Sequence, residues 1–239
     1  MMPLGVAGRS KYRPYATFTL IVINTLIFLW MFLISLRGEA ALLGFVSQFA
    51  LDVCRVGVEP VTSSLFKGFG SLFIHASLLH LLGNMVFLWI FGPRVESYFG
   101  HRRFLVFYTL AGFGATLGHL LFGGTVCIPG TNITGYLVGA SGAIAGVMGA
   151  FLFLYPGARV RTAIVIFGWL PIKVFYISAW IYLLIWVALD FVKGIGWIES
   201  IGVAHFAHVG GFVIGFVIAF VATLYKPAPA VDAFEHLDD

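Results

Sequence analysis

The chain has 239 residues, of which 60% are hydrophobic and only 10% are charged, and its mean hydropathy is +1.00. A soluble domain of this length normally carries about 25% charged residues. The composition therefore excludes an ordinary soluble fold and indicates that a lipid bilayer is the main solvent. The formal net charge of +4 does not indicate a nucleic-acid partner, because the basic residues flank apolar segments instead of forming a stripe with interleaved aromatic residues.

Six apolar segments have the length of about 20 residues that a membrane-spanning helix requires. They are residues 15–36, 73–91, 104–122, 137–155, 172–192 and 204–225. Gly92 and Pro93 are predicted to end the second segment, and Pro171 precedes the fifth. The sequence therefore predicts an all-α membrane protein, with a bundle of six transmembrane helices over residues 15–225.

The parts of the chain outside the bundle have their own patterns. Residues 1–14 are predicted to form a cytoplasmic N-terminal segment, and residues 226–239 a solvated, disordered cytoplasmic tail. Residues 37–72 form a long amphipathic loop, which we expect to lie half-embedded at the outer membrane interface. The chain has no internal repeat, which argues against a transporter built from inverted repeats.

The distribution of Lys and Arg among the loops predicts the orientation of the bundle. One side would carry ten of them, which are Arg9, Lys11, Arg13, Arg94, Arg102, Arg103, Arg159, Arg161, Lys173 and Lys226. The other side would carry four, which are Arg37, Arg55, Lys67 and Lys193. Because short basic loops stay in the cytoplasm, we expect both chain ends to be cytoplasmic, in a multi-pass protein of a prokaryotic plasma membrane.

Polar side chains inside spanning helices are costly, so each one is a functional candidate. The fourth segment contains Ser141 in the run Gly-Ala-Ser-Gly, with Ala145 and Gly149 on the same helical face. This face of small residues would let another backbone approach closely. Taken alone, however, Ser141 is equally well explained as a small packing residue.

The sixth segment supplies a matching face. His208 shares one side of the predicted helix with Ala204, Gly211 and Gly215. If the two small-residue faces pack together, Ser141 and His208 can reach the separation of about 2.6–3.2 Å that a nucleophile and its general base require.

We expect a dyad without a third member, because no intramembrane carboxylate is in an obvious position to assist. Asp190 lies near the far end of the fifth segment and is expected to be an interfacial residue. The second segment carries His80 and Asn84, which are four residues apart and therefore on one helical face. Together with the backbone N–H of Ser141, these two side chains could form an oxyanion hole for acyl transfer.

Three stretches in this order resemble the signatures of the rhomboid family of intramembrane serine proteases. They are HASLLHLLGN at 75–84, GASG at 139–142 and AHVGGFVIG at 207–215. The loop sequences GPRVE at 92–96 and YPGARV at 155–160 are also similar to family loops, so the resemblance covers roughly residues 15–225.

This resemblance implies a fold, an activity and a partner. Ser141 would be the nucleophile and His208 the base, with His80 and Asn84 around the oxyanion. The site would lie in a water-accessible cavity that opens to the outer face, and the substrates would be single-span membrane proteins. The residues expected to support the site are Gly139, Gly142, Gly211, Gly215, His75 and Glu96. We expect His75 to cap or orient the nearby loop and Glu96 to hydrogen-bond a tight turn.

Two departures from the family pattern concern the outer loop and the sixth helix. Many members carry a Trp-Arg pair in the first outer loop, where this chain has Ser64 to Lys67, and many have Trp where His205 stands. These differences leave the anchoring of the loop and the role of His205 open. We expect the Ser141–His208 pair to be unaffected.

Other interpretations of the same residues are compatible with the sequence. The pair His205 and His208 could suggest a metal, but no His-Glu-x-x-His or Cys cluster accompanies it, so neither a metal nor a cofactor is expected. Alternative functions are a non-catalytic binder of membrane segments and a transporter or channel.

Cys54 and Cys127 both fall in predicted outer loops, where a disulfide is conceivable. The sequence leaves the oligomeric state open.

Overall fold

The computed structural model describes residues 2–7, 12–123, 127, 135–166, 170–196 and 203–228. Most of these residues are helical, and the predicted helical membrane fold is confirmed. Parts of the predicted terminal segments, residues 8–11 and 229–239, lie outside the described residues.

Six helices overlap the six predicted segments. They are α1 (Tyr15–Ser35), α4 (Leu78–Phe99), α5 (His101–Phe122), α6 (Ser141–Leu154), α7 (Ala179–Gly194) and α8 (His205–Thr223). Among the described residues, α1, α4, α5 and α8 are long and apolar enough to cross a bilayer. Helix α6 has 14 residues and α7 has 16.

The prediction that Gly92 and Pro93 end the second segment is wrong, because α4 continues through Pro93 to Phe99. The missing N–H of Pro93 removes one helical hydrogen bond. Three residues later, the carboxylate of Glu96 accepts hydrogen bonds from the backbone N–H groups of Ala16 and Thr17, at the start of α1. Helix α4 is therefore held against α1 beyond its proline.

Helix α6 forms the centre of the bundle, with every residue except Ser141 and Phe153 buried. Its glycines allow the backbone of α8 to approach closely. A Cβ placed on Gly211 would lie 2.0 Å from the carbonyl oxygen of Gly142, and one placed on Gly215 would lie 2.0 Å from the carbonyl oxygen of Gly146. A helix with any other residue at these positions could not pack at this distance.

The packing face on α6 differs slightly from the predicted one. We expected Ala145 and Gly149 to form the groove. Gly149 does face α8, since a Cβ on it would lie 2.0 Å from the carbonyl oxygen of Phe212. The other close approaches are at Gly142 and Gly146, one residue beyond the predicted Ser141–Ala145 row. This offset turns Ser141 to the edge of the interface, where its hydroxyl is not enclosed by helix packing.

A three-stranded antiparallel sheet was not predicted. Strand β1 (Met2–Val6) pairs with β4 (Arg159–Ile166), and β4 pairs with β5 (Leu170–Ser178). The predicted spanning segment 172–192 is therefore wrong in its first third, where the chain is a strand and α7 begins only at Ala179. Hydropathy cannot separate these states, since apolar strand residues add to the score of the helix that follows.

The loop between α1 and α4 contains two short helices, α2 (Glu39–Phe49) and α3 (Val61–Ser71). A two-residue strand between them, β2 (Leu51–Asp52), pairs with β3 (Tyr136–Leu137), which lies shortly before α6. Through this pairing the loop is attached to the segment that leads into the central helix.

Two further contacts hold this loop. Within it, Lys67 donates hydrogen bonds to the carboxylate of Glu59, the shorter at 2.8 Å, and this contact holds the pKa of Glu59 below its usual value. Cys54 of the loop forms a disulfide with Cys127, 73 residues later in the sequence. The disulfide and the β2–β3 pairing thus attach a loop that lacks the Trp-Arg pair.

We predict that Gly215→Ala destabilises the protein, because the new methyl group would meet the backbone of Gly146, which cannot move aside as a side chain can. The expected loss is about 1–3 kcal/mol, seen as a lower thermal unfolding temperature in detergent micelles. Gly44→Ala in α2 is the matched control, since nothing lies within 4 Å of its added Cβ. Equal unfolding temperatures for Gly215→Ala and the wild type would contradict this description of the α6–α8 contact.

Candidate active site

A cavity of about 580 Å³ lies where several helices begin, and its lining includes the predicted catalytic and oxyanion residues. Ser141 is the first residue of α6, His80 the third of α4 and His208 the fourth of α8. Three helices that are distant in sequence thus bring their first turns to one end of the bundle. The volume is typical of a site that binds a small molecule or a few residues of a chain.

Ser141 and His208 lie within hydrogen-bonding distance across the contact between α6 and α8. The Oγ atom of Ser141 is 2.8 Å from Nε2 of His208. The chain before Ser141 is fixed by Gly139, whose backbone N–H donates to the carbonyl oxygen of Ser71 at 2.9 Å. Gly139 has φ +118°, a conformation that residues with a side chain rarely adopt. The serine is therefore held by the α3 segment as well as by its own helix.

Asp190 was expected to be an interfacial residue, and this expectation is wrong. It is buried near the end of α7, and its Oδ2 lies 2.7 Å from Nδ1 of His208. A carboxylate can only accept, so Nδ1 of His208 carries the proton and Nε2 presents its lone pair to the Ser141 hydroxyl. This is the tautomer that a general base requires. A Ser–His–Asp arrangement is present where a Ser–His pair was predicted.

The second carboxylate oxygen of Asp190 has its own partner. Its Oδ1 lies 2.7 Å from Nδ1 of His205, one turn before His208 on α8. His205 is 6% exposed, and its Nε2 has no hydrogen-bond partner among the described residues. Asp190 therefore joins two histidines, of which one contacts the serine.

His80 and Asn84 both lie over the backbone that precedes Ser141. A Cβ on Gly139 would be 2.7 Å from Cε1 of His80 and 3.7 Å from Nδ2 of Asn84. Asn84 is 7% exposed, and within the described part of the chain its Nδ2 has no acceptor. Buried amide donors normally have a partner, so this N–H group is available to an oxygen atom of a bound molecule.

Glu96 occupies a position that differs from the expected one, whereas His75 lies in the loop that it was expected to cap or orient. Helix α4 is capped by Ser77, whose hydroxyl accepts from the backbone N–H of His80. His75 precedes this cap, and its Nδ1 lies 3.4 Å from the carbonyl oxygen of Phe73. Its buried ring contacts the ring of His80 edge-on at a centroid distance of 5.2 Å. Glu96 hydrogen-bonds the start of α1 instead of a tight turn, and it also contacts His101. His75 thus supports the site directly, whereas Glu96 supports the bundle.

The three residues Asp190, His205 and His208 also have ligand atoms of the kind that bind metals, all within 4.8 Å of one another. Two imidazoles and a carboxylate are a donor set that suits zinc. However, each oxygen of Asp190 is already hydrogen-bonded to a histidine nitrogen at 2.7 Å. Hydrogen bonds therefore account for the contacts among these three residues without a metal ion.

Comparison with known proteins identifies the family of this chain. The rhomboid domain model matches residues 62–225, which is most of the chain and includes Ser141, His208, His80 and Asn84. The chain therefore belongs to the rhomboid family, as its motifs predict.

Several relatives are similar to this chain. It is 34% identical to RHOMBOID-like protein 1 of Arabidopsis thaliana over 172 residues, which cover 72% of this chain and 37% of that protein. It is 28% identical to the mitochondrial presenilin-associated rhomboid-like protein of Mus musculus over 193 residues, 74% of this chain and 47% of that protein. The chain spans less than half the length of these curated relatives.

The protein is an integral membrane protein with several spans. These relatives are eukaryotic, and another, the mitochondrial Rhomboid protein 1 of Saccharomyces cerevisiae, is 34% identical over 91 residues, 38% of this chain and 25% of that protein. The expected prokaryotic plasma membrane has no support from them.

Proposed function

We propose that the protein is an intramembrane serine endopeptidase that hydrolyses peptide bonds in or near the transmembrane segments of single-span membrane proteins. The observation that carries this proposal is the 2.8 Å contact between Ser141 Oγ and His208 Nε2, in a cavity formed by spanning helices. A hydroxyl hydrogen-bonded to a correctly protonated imidazole is the arrangement that activates serine as a nucleophile.

In this mechanism Ser141 Oγ attacks the carbonyl carbon of the scissile bond, while Nε2 of His208 takes the hydroxyl proton. The tetrahedral intermediate collapses when His208 returns that proton to the leaving amine, and an acyl-enzyme on Ser141 remains. A water molecule then loses a proton to His208 and attacks the acyl carbon. The bond from that carbon to Ser141 Oγ breaks, His208 returns the proton to Oγ, and the acid product leaves with Ser141 and His208 restored.

The negative charge that develops on the carbonyl oxygen needs donors close to Ser141. We assign this role to Nδ2 of Asn84, to the ring of His80 and to the backbone N–H of Ser141. Nδ2 of Asn84, which has no acceptor among the described residues, supports the assignment, and so does the position of both side chains over Gly139. Ser141 begins α6, and the first N–H groups of a helix have no partner within it.

A substrate helix would have to unwind locally to reach this site, because helical carbonyl groups are hydrogen-bonded and shielded. The cavity volume of about 580 Å³ suits a few residues of extended chain and is too small for an intact helix. Small or helix-breaking residues near the scissile bond are therefore expected in substrates.

The orientation with both chain ends in the cytoplasm is also part of the proposal. It puts Ser141, His208 and the Cys54–Cys127 disulfide towards the outer side. Disulfides persist in oxidising compartments and are rare in the cytosol, so the bond between Cys54 and Cys127 supports the outward assignment of both loops.

We predict that Ser141→Ala abolishes proteolysis, because it removes the attacking oxygen and adds no bulk. The measurement compares cleavage of a single-span protein with a Gly- and Ala-rich spanning segment in lipid vesicles. Ser47→Ala, on α2 and outside the cavity lining, is the matched control and should cleave as the wild type does. Residual activity of Ser141→Ala above a few per cent of wild type would exclude the serine mechanism.

His80→Ala and Asn84→Ala should each lower kcat by about 10²–10³, the usual effect of removing one preorganised oxyanion donor. KM should change much less, since these donors meet a charge that exists only in the transition state. Steady-state kinetics in detergent micelles provides both constants. The control is Leu82→Ala, an exposed position on α4 outside the cavity lining. Wild-type kcat in both variants would remove the oxyanion assignment.

Metal chelators should leave proteolysis unchanged, because hydrogen bonds account for the contacts among Asp190, His205 and His208. The test is cleavage after dialysis against 1,10-phenanthroline, with the chelator removed before the assay. Loss of activity that added zinc restores would show that these residues hold a metal ion in the active protein.

A further inference from the structure

Asp190 is the one carboxylate, among the described residues, that contacts the proposed catalytic pair. It comes from α7, whereas both of its partners come from α8. Its two oxygens are used separately, with one 2.7 Å from His208 and the other 2.7 Å from His205. The two imidazole planes are nearly perpendicular, at 87°. Because each ring holds a different oxygen, the two rings together restrict rotation of the Asp190 carboxylate.

We propose that Asp190 is a positioning residue for His208, and that His205 in turn positions Asp190, so that the reaction uses a chain of four side chains in place of a dyad. This inference rests on the proposed function of Ser141 and His208. It assigns a role to His205, which stands where many members of the family have Trp.

The role of Asp190 follows from the charge that His208 acquires. When His208 takes the proton of Ser141 it becomes an imidazolium. A carboxylate 2.7 Å from Nδ1 stabilises that cation and keeps the imidazole in the required tautomer. Asp190 need not take the proton itself. Its effect should therefore appear in the chemical step and much less in substrate binding.

The role of His205 follows from its hydrogen bond to Asp190. Its Nδ1 donates to Oδ1 of Asp190 at 2.7 Å, and its buried Nε2 has no partner among the described residues. Among these residues, His205 therefore serves Asp190 through Nδ1 alone. This donor holds one carboxylate oxygen in place and leaves the other oxygen to act on His208.

A purely structural role for this cluster is the alternative, in which Asp190 only joins α7 to α8. Such a role predicts variants that unfold more easily but have normal kcat once folded. The proposed role predicts lower kcat in folded protein, with KM nearly unchanged. Kinetics and thermal unfolding measured on the same preparations separate the two.

The first test replaces the carboxylate. Asp190→Asn keeps the shape and removes the charge, and we expect kcat to fall by about 10²- to 10⁴-fold, as for other general-base partners. KM should stay within about threefold, since the chemical step carries the loss. Glu39→Gln, a carboxylate-to-amide change at the exposed start of α2, is the matched control and should leave kcat unchanged.

The second test concerns His205 and introduces no new charge. His205→Phe removes the donor to Asp190, and kcat should fall by about 10- to 100-fold, the range seen when groups that orient a functional ligand are removed. His205→Gln returns an N–H donor and should recover most of that loss. If His205→Phe and His205→Gln are equally slow, or both match the wild type, the positioning role of His205 is refuted.

The third test is a double-mutant cycle between Asp190→Ala and His205→Phe. If His205 acts through Asp190, the double variant should be as slow as Asp190→Ala within about threefold, because no carboxylate remains to be positioned. Multiplicative losses would overturn the proposed order of action. Should Asp190→Ala fail to fold, the His205→Phe and His205→Gln pair still decides the question.

The outcomes distinguish this inference from the proposed function. If the wild type and His205→Gln do not cleave the single-span substrate while remaining folded, the proposed function fails and this inference fails with it. If the wild type cleaves and Asp190→Asn cleaves with the same kcat, only the positioning role is wrong, and a Ser141–His208 dyad is sufficient.

Discussion

The backbone contact between α6 and α8 is the constraint on which the rest of the structure depends. Without a hydrophobic driving force between helices in lipid, close packing must come from small residues. Gly142 and Gly146 of α6 meet Gly211 and Gly215 of α8 at distances that leave no room for a Cβ. Because both helices begin near the same end, this contact brings their first turns together, and the 2.8 Å separation of Ser141 and His208 follows from it.

The cost of polar groups in a low-dielectric environment explains why the site residues gather at one end of the bundle. A lone Asp or His among apolar helices would be strongly unfavourable. Asp190 is stabilised by N–H groups of two histidines, and His208 connects this group to the hydroxyl of Ser141. Nδ2 of Asn84 and Nε2 of His205 are not paired in this way, since neither has a partner in the described part of the chain. Asn84 lines the cavity, where a bound molecule could supply the acceptor that a buried amide donor normally has.

The site residues that could be predicted are those that a pattern of spacing along a single helix indicates. Ser141, His208, His80 and Asn84 each stand out because small or polar residues recur at helical spacing beside them. Asp190 was missed because its role depends on contacts between helices. A signal was nevertheless present, since antiparallel neighbours bring the end of the fifth helix beside the start of the sixth. Ser141, at the start of the fourth helix, lies at that same end.

The spanning helices could be predicted because their length and hydropathy identify them. The strand before α7 could not, because an apolar stretch changes there from strand to helix. The segment before α7 is rich in β-branched and aromatic residues, which favour a strand, yet a hydropathy window merges it with the helix. Strand β1 could not be predicted from its own five residues, because its pairing with β4 is a long-range contact. A proline alone does not mark the end of a helix here, since α4 passes through Pro93 and ends at Phe99.

If Ser141 is an activated nucleophile inside the membrane, a reagent that reacts with such serines should label it covalently. Wild-type protein in lipid vesicles would be treated with an aryl fluorophosphonate, digested and examined by mass spectrometry to locate the adduct. We expect one modified site, Ser141, with no adduct in protein that has been unfolded before treatment. An unmodified Ser141 in folded protein, or an adduct on another serine, would contradict it.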